Sequence, residues 1–267
     1  MLKKTDTCIT SVKSTVMKLA GIEQSEGNAP ANDYVISQTG TSADRFVIYN
    51  PDAVASWLYE KYTDLFADLD ARCNQYTETC VSLRSVMPSV TPVCFGSMYS
   101  GVMPEIHGIM KYEKPVLKVE TLFDVFIKAG KKCVIVSTSG DSISKIFLER
   151  DMDYYIYPSI HKVNKKACKL IKQNKYDLIV IYNGNYDSKM HANGPESAKA
   201  IKALRENIAA YKKIISLIYK YMPDNDVFYG FCPDHGCHEI DGSRGSHGLD
   251  MEEDMNVIHY YGFKAKQ

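Results

Sequence analysis

Apolar runs of strand length alternate with stretches of helical periodicity along most of the chain. RFVIYN (45–50), CVSLRSV (80–86), KCVIVST (132–138), DYYIY (153–157), YDLIVIYN (176–183) and DVFYGFC (226–232) are rich in β-branched and aromatic residues and read as strands. Helical spacing of apolar positions predicts helices over 53–69, 92–100, 119–129, 160–174 and 195–221, the third closing on Gly130 as a left-handed terminating residue. Strands alternating with helices predict an α/β fold, a three-layer αβα sandwich around a largely parallel sheet. Residues 1–44 stand outside the alternation: an N-terminal helix is expected there, followed over 21–44 by a surface connection rich in Gly, Ser, Asn and Pro. A chain of 267 residues, 45% of them hydrophobic, can bury one sizeable core, so a single domain over 1–267 is expected.

In an open α/β sheet, ligands bind outside the carboxyl ends of the strands, so the residues just after each strand matter most. Asp52 follows the first predicted strand and Thr91 the second; Asp187 and His191 follow the fifth; Asp234, His235 and His247 follow the last. Each element has a bland reading. Asp187 and His191 are four apart and share a helix face, as many solvated pairs do. Thr91 stands before Pro92 and reads equally as a helix N-cap. What chance spacing does not supply is convergence: three Asp, three His and a hydroxyl at one edge of one sheet. Imidazole and carboxylate are ligands for zinc, and six of them with a bridging hydroxyl can hold two ions. Two metals about 4 Å apart can clamp the attacking and leaving oxygens of an in-line phosphoryl displacement. A Thr hydroxyl becomes a nucleophile once a base or metal takes its proton, and an anion beside Thr91 would face the positive end of a helix dipole.

Composition narrows the partners. Acidic and basic residues balance at 32 each, which excludes a field that recruits nucleic acid or an anionic membrane and leaves a small phosphorylated molecule as the expected partner. No run reaches the roughly 18 apolar residues of a membrane span, and Lys13 and Lys18 break up any secretory segment. Eight scattered cysteines without a CxxC pair read as reduced thiols in a cytoplasmic protein. Three histidines favour zinc over magnesium, with manganese as the other candidate. The lysine run 161–177 reads as the solvated face of an amphipathic helix, and STSGDS (137–142) as a strand-to-helix turn capped by Asp141.

The run MPSVTPVCFGSMYSGVMPEIHGI (87–109) resembles the nucleophile segment of the alkaline phosphatase superfamily, most closely its nucleotide pyrophosphatase/phosphodiesterase branch, with Thr91, Gly101 and PEIHGI (104–109) at the family's spacing. DSKMHANGP (187–195) is similar to the metal motif DxxGHxxGP, with Met190 at the Gly position. PDHGCHE (233–239) resembles the DHG motif, SHG (246–248) the late HG element, and VIYNPDAV (47–54) the first metal strand. The resemblance implies an alkaline-phosphatase-like core without a large cap domain. It implies Asp187, His191 and His247 on one zinc ion, and Asp52, Asp234, His235 and the Thr91 oxygen on a second. It further implies that Thr91 forms a covalent phosphoryl intermediate, hydrolysed by metal-activated water, and that His107 is a structural turn residue.

The chain departs from the family at three places. Cys94 stands where the phosphodiesterases have an Asn that holds a phosphate oxygen; the Asp52 segment begins DA rather than DG; and ten residues separate Gly236 from His247, where larger relatives insert a substrate-binding segment. A small or weakly enclosed substrate is expected. Cys94 and His238 are the expected substrate contacts, His238 otherwise standing behind the ligands. The absence of C/S-x-P-x-R sets sulfatases aside, and the chain has no room for the second domain of the related phosphomutases. No arginine adjoins Thr91 to meet a phosphate dianion, which favours a phosphodiester, a nucleotide pyrophosphate or a phosphonate. A phosphomonoesterase, or a binding protein that has kept the scaffold without catalysis, is the alternative.

Overall fold

The computed structural model describes residues 2–24 and 26–267. Its strands, in chain order, are β1 (Lys3–Cys8), β2 (Arg45–Pro51), β3 (Glu78–Arg84), β4 (Cys133–Thr138), β5 (Asp153–Tyr157), β6 (Leu178–Asn183), β7 (Val227–Phe231), β8 (His238–Ile240), β9 (Arg244–Ser246) and β10 (Asn256–Lys264). Eight form one sheet in the order β1-β3-β10-β7-β2-β6-β4-β5, and β8 and β9 pair separately as a short hairpin. β10 runs antiparallel to both β3 and β7, and the other pairings in the sheet are parallel.

The helices are α1 (Ser11–Leu19), α2 (Asp33–Thr39), α3 (Ser56–Lys61), α4 (Thr63–Gln75), α5 (Thr91–Ser100), α6 (Pro104–His107), α7 (Leu122–Lys128), α8 (Ile143–Ile146), α9 (Ile160–Gln173), α10 (Asn185–Asn193), α11 (Ala198–Tyr221) and α12 (Glu252–Met255). Because side chains alternate across a strand, Val47, Tyr49, Ile179 and Ile181 pack on one side with α4, α9 and α11. Phe46, Ile48, Leu178 and Val180 pack on the other with α1, α5 and α7. This is the three-layer αβα sandwich. The central strands are buried on both faces, which is why they read as unbroken apolar runs. α9 is buried along Val163, Ala167, Leu170 and Ile171, at the spacing of one helix face, and turns its lysines outward. Among the described residues no helix is long and apolar enough to cross a membrane.

Three expectations need correction. The connection over 21–44 contains α2, which buries Val35, Ile36 and Thr39 and is capped by Asn32 Oδ1 accepting from the Val35 N–H at 3.1 Å. The single helix over 53–69 is two helices, α3 and α4, meeting at Tyr62, whose backbone leaves helical geometry (φ −117°, ψ 49°). The six strands of the sequence reading omit β1 and β10. β1 is a polar edge strand, KKTDTC, with no buried position, so no apolar alternation marks it. β10 owes its place to pairing with β3 and β7, a contact across distant parts of the chain.

Candidate metal centre

β2 ends at Pro51, which leaves Asp52 at the carboxyl edge of the sheet. The next residue, Ala53, has φ 63°, left-handed backbone that costs an L-residue roughly 1–2 kcal/mol and explains why glycine suits this position. The turn directs the Ala53 N–H to Asp234 Oδ1 at 3.4 Å. β7 delivers Asp234 and His235, both fully buried, to the same edge. α10 carries Asp187 and His191 one turn apart, and His247 follows β9. Thr91 is the first residue of α5, with Val90 as the N-cap and Pro92 in the first turn, so it does not take the cap position itself.

These side chains form two groups. In Asp187, His191 and His247, and again in Asp52, Asp234 and His235, one ligand atom from each residue lies within 4.8 Å of the others. The groups adjoin: the His235 and His247 rings stack with centroids 4.0 Å apart. Thr91 Oγ1 lies 3.4 Å from Asp52 Oδ2 and 3.3 Å from His235 Nε2.

All three histidines are oriented alike. Nδ1 meets a backbone carbonyl at 2.9 Å in each: Gly245 for His191, Gly236 for His235 and Ser89 for His247. A carbonyl only accepts, so Nδ1 carries the proton and Nε2 presents a lone pair. Those lone pairs converge: His191 Nε2 lies 3.0 Å from His247 Nε2, and His235 Nε2 lies 3.3 Å from Asp52 Oδ1 and 3.4 Å from Asp234 Oδ2. One oxygen of each carboxylate, Asp52 Oδ1, Asp187 Oδ1 and Asp234 Oδ2, is buried with no hydrogen-bond partner. Burial, followed by the Asp234 and Asp187 charges, pushes the Asp52 carboxyl well above the usual carboxylate range. Burial also raises Asp234 and drives His235 well below the ordinary imidazole value, favouring its neutral form. Bare carboxylate oxygens and imidazole lone pairs turned to common points form a donor set suited to a divalent metal ion.

The glycines and one methionine of these motifs have steric reasons. A Cβ on Gly236 would collide with the Glu253 carbonyl oxygen and come within 2.8 Å of the Ala55 methyl. Gly236→Ala is therefore expected to destabilise the fold by about 3 kcal/mol or more, read from the denaturant midpoint; a loss under about 1 kcal/mol would show that the two segments separate easily. Met190 is fully buried and its thioether occupies the space that a Cβ on Gly245 would need, so methionine at the Gly position of the motif it resembles is matched by a glycine opposite. His107 accepts from the Ile109 N–H through Nδ1 and bonds Ser97 Oγ through Nε2 at 2.9 Å, fixing the turn after α6.

A cavity of about 370 Å³ opens beside the two groups, lined by Asp52, Thr91, Asp187 and Tyr182, with Lys114 and Asp141 among the residues completing it. Neither expected substrate contact lines it. Cys94 is fully buried, its thiol set against Ser85 Oγ at 3.2 Å on the inner side of α5. His238, the first residue of β8, is held through Nδ1 by the buried Asp254 at 2.7 Å. Asp141 does not cap α8; its carboxylate accepts from the Thr138 hydroxyl and faces the cavity. Tyr182, whose hydroxyl donates to Asp52 Oδ2, escaped the sequence reading although it stands near the end of β6, where the strand-end rule would have found it. Lys114 lies in an irregular segment with no such signal.

Sheet order, layers and edge together define the alkaline-phosphatase-like fold expected from the motifs. Solved structures with this architecture match the chain. The C-terminal periplasmic domain of EptC from Escherichia coli, in complex with zinc, aligns at TM-score 0.56 and 11% identity over 85% of this chain and 74% of that one. Phosphonoacetate hydrolase from Sinorhizobium meliloti, with phosphonoformate, aligns at TM-score 0.53 and 14% identity over 76% and 59%. Murine ectonucleotide pyrophosphatase/phosphodiesterase 5 aligns at TM-score 0.55 and 14% identity over 74% and 58%. The chain thus covers less than two thirds of the length of the last two. At such identities the likeness is one of fold. No protein-family model and no curated protein sequence matches the chain.

Proposed function

We propose that the protein is a metal-dependent hydrolase of phosphate esters, acting on a phosphodiester, a nucleotide pyrophosphate or a phosphonate. The observation that carries this reading is the common orientation of His191, His235 and His247, each with Nδ1 on a carbonyl and Nε2 turned toward carboxylate oxygens that lack partners. Asp187, His191 and His247 would hold one ion; Asp52, Asp234, His235 and Thr91 Oγ1 would hold the other. Zinc suits the three imidazoles best, with manganese second. When bound, such ions act as Lewis acids on phosphoryl oxygens and lower the pKa of hydroxyl groups and water.

The chain's own residues do the rest. Thr91 Oγ1 forms the new bond to phosphorus as the bond to the leaving oxygen breaks, and water then cleaves the phosphothreonine. Asp52, 3.4 Å from the Thr91 hydroxyl, is itself held by Tyr182, which fixes the orientation of the nucleophile. Among the described residues, Lys114 is the one cation lining the cavity. That is little positive charge for a dianion and supports a diester over a monoester.

Protein purified without chelator is expected to carry two equivalents of metal by elemental analysis and to turn over bis-nitrophenyl phosphate faster than nitrophenyl phosphate. Absence of stoichiometric metal would sink the hydrolase reading in favour of a non-catalytic binding protein. A strong preference for the monoester would replace the diesterase with a phosphomonoesterase.

A further inference from the structure

We infer that the wall formed by Lys114, Thr138 and Asp141 is a subsite for an uncharged polyol, the glycerol, inositol or sugar unit of a phosphoester substrate. The inference deepens the phosphoester reading and rests on it. One cavity of about 370 Å³ is lined both by Thr91, Asp52 and Asp187 and by these three residues. Its size is at the small end for ligand sites, enough for a phosphate and one compact substituent. A phosphorus atom at Thr91 therefore places its remaining group against this wall.

The wall is polar. Lys114 Nζ donates to the Gly140 carbonyl at 2.9 Å and has two further protons to give. The Asp141 carboxylate accepts from the Thr138 hydroxyl and keeps lone pairs free on the cavity side. Burial pushes the Asp141 carboxyl up to about 6, and the Lys114 charge opposes that shift. One group of each sign lines the same cavity, so the wall selects neither sign. An ammonium group would meet Lys114 and a carboxylate group would meet Asp141, each at a cost. A hydroxyl both donates and accepts, and neighbouring hydroxyls can bond Asp141 and Lys114 together. A nucleobase would need apolar faces on both sides, whereas Ser142 and Ser159 add further hydroxyls here and Tyr112 is 59% exposed.

The test is calorimetric binding to the zinc-loaded full chain of four monoesters that carry the same phosphate: ethyl phosphate, glycerol 1-phosphate, inositol 1-phosphate and AMP. The polyol phosphates are expected to bind about tenfold more tightly than ethyl phosphate, the worth of one or two added hydrogen bonds. Asp141→Asn and Lys114→Met should each reduce that ratio to below about threefold. Lys114 is only half-buried, so its variant carries the test if Asp141→Asn folds poorly. Ethyl phosphate binding with no polyol preference, a ratio unchanged in both variants, or AMP bound more tightly than either polyol ester would each overturn the inference and leave the hydrolase reading standing. Failure of every ester to bind would overturn the inference, while the hydrolase reading is tested separately by turnover of the diester.

Discussion

Thr91→Ala is expected to lower phosphodiester turnover by on the order of 10⁴-fold, with two metal ions per chain still bound. The size of the effect follows from the role. A nucleophile that forms a covalent intermediate cannot be replaced by water at comparable rate, and what survives is the contribution of binding and charge stabilisation. Metal should remain because Asp52, Asp234 and His235 keep their geometry: Asp234 and His235, just beyond the end of β7, are fully buried, and Asp52 is held by Tyr182. The alanine methyl also fits the first turn of α5 without strain, so the variant should fold. Thr91→Ser preserves the hydroxyl and should lose less than about tenfold, the cost of a freer rotamer. Single-turnover measurements with a radiolabelled diester distinguish the cases: wild type traps label on the chain and Thr91→Ala does not. Retention of more than a tenth of wild-type turnover by the alanine variant would remove Thr91 from the reaction.

Each metal ion is expected to raise the melting temperature by about 5–10 °C, from the roughly 2.7 kcal/mol available at a hundredfold excess over its Kd in a domain of this size. The gain should also grow with pH. Asp52 and Asp234 are buried beside one another, and burial holds both carboxyls well above the ordinary value of 3.8. A carboxyl raised in the folded state binds its proton more tightly folded than unfolded. Its contribution to stability is therefore complete below about pH 3.8 and is lost as pH rises through the folded value. The metal-free protein is strained by these groups most at neutral and alkaline pH. A metal ion replaces the protons, so its binding strengthens over the same range.

Asp234→Asn removes one charge from the pair, and the difference from wild type isolates it from the other carboxylates. The variant should melt higher than wild type in chelator and gain only about half as much from zinc, the share of the intact Asp187, His191 and His247 group. Thermal scans with and without chelator between pH 5 and 8 test both statements. A metal-induced gain that is constant across pH, or undiminished in Asp234→Asn, would take Asp234 out of the ligand set.

The sequence alone determined the layers of the fold, because the strands that make the centre of the sheet are buried on both faces and leave an unambiguous trace. LIVIYN in β6 and FVIYN in β2 have no solvated side to interrupt them. The rule that ligands gather at the carboxyl ends of strands then picked out Asp52, Thr91, Asp187, His191, Asp234, His235 and His247, and the chain brings all seven together at that edge. The family resemblance implied the division of the six carboxylates and imidazoles into two sets, and the folded chain forms the same two groups.

The tertiary structure alone decided what depends on direction and on distant neighbours. Cys94 was expected at the substrate from the family position it resembles and His238 from its place among the ligands in the chain, but α5 holds Cys94 in the core and Asp254 holds the His238 ring through Nδ1. Asp141 has the composition of a cap, and only the packing of β4 against its neighbours turns its carboxylate into the cavity. β10 joins the sheet through partners more than a hundred residues away at β3, a choice no local pattern records. Periodicity reports whether a position is buried; which side chains share a cavity is set by where the elements come to rest against one another.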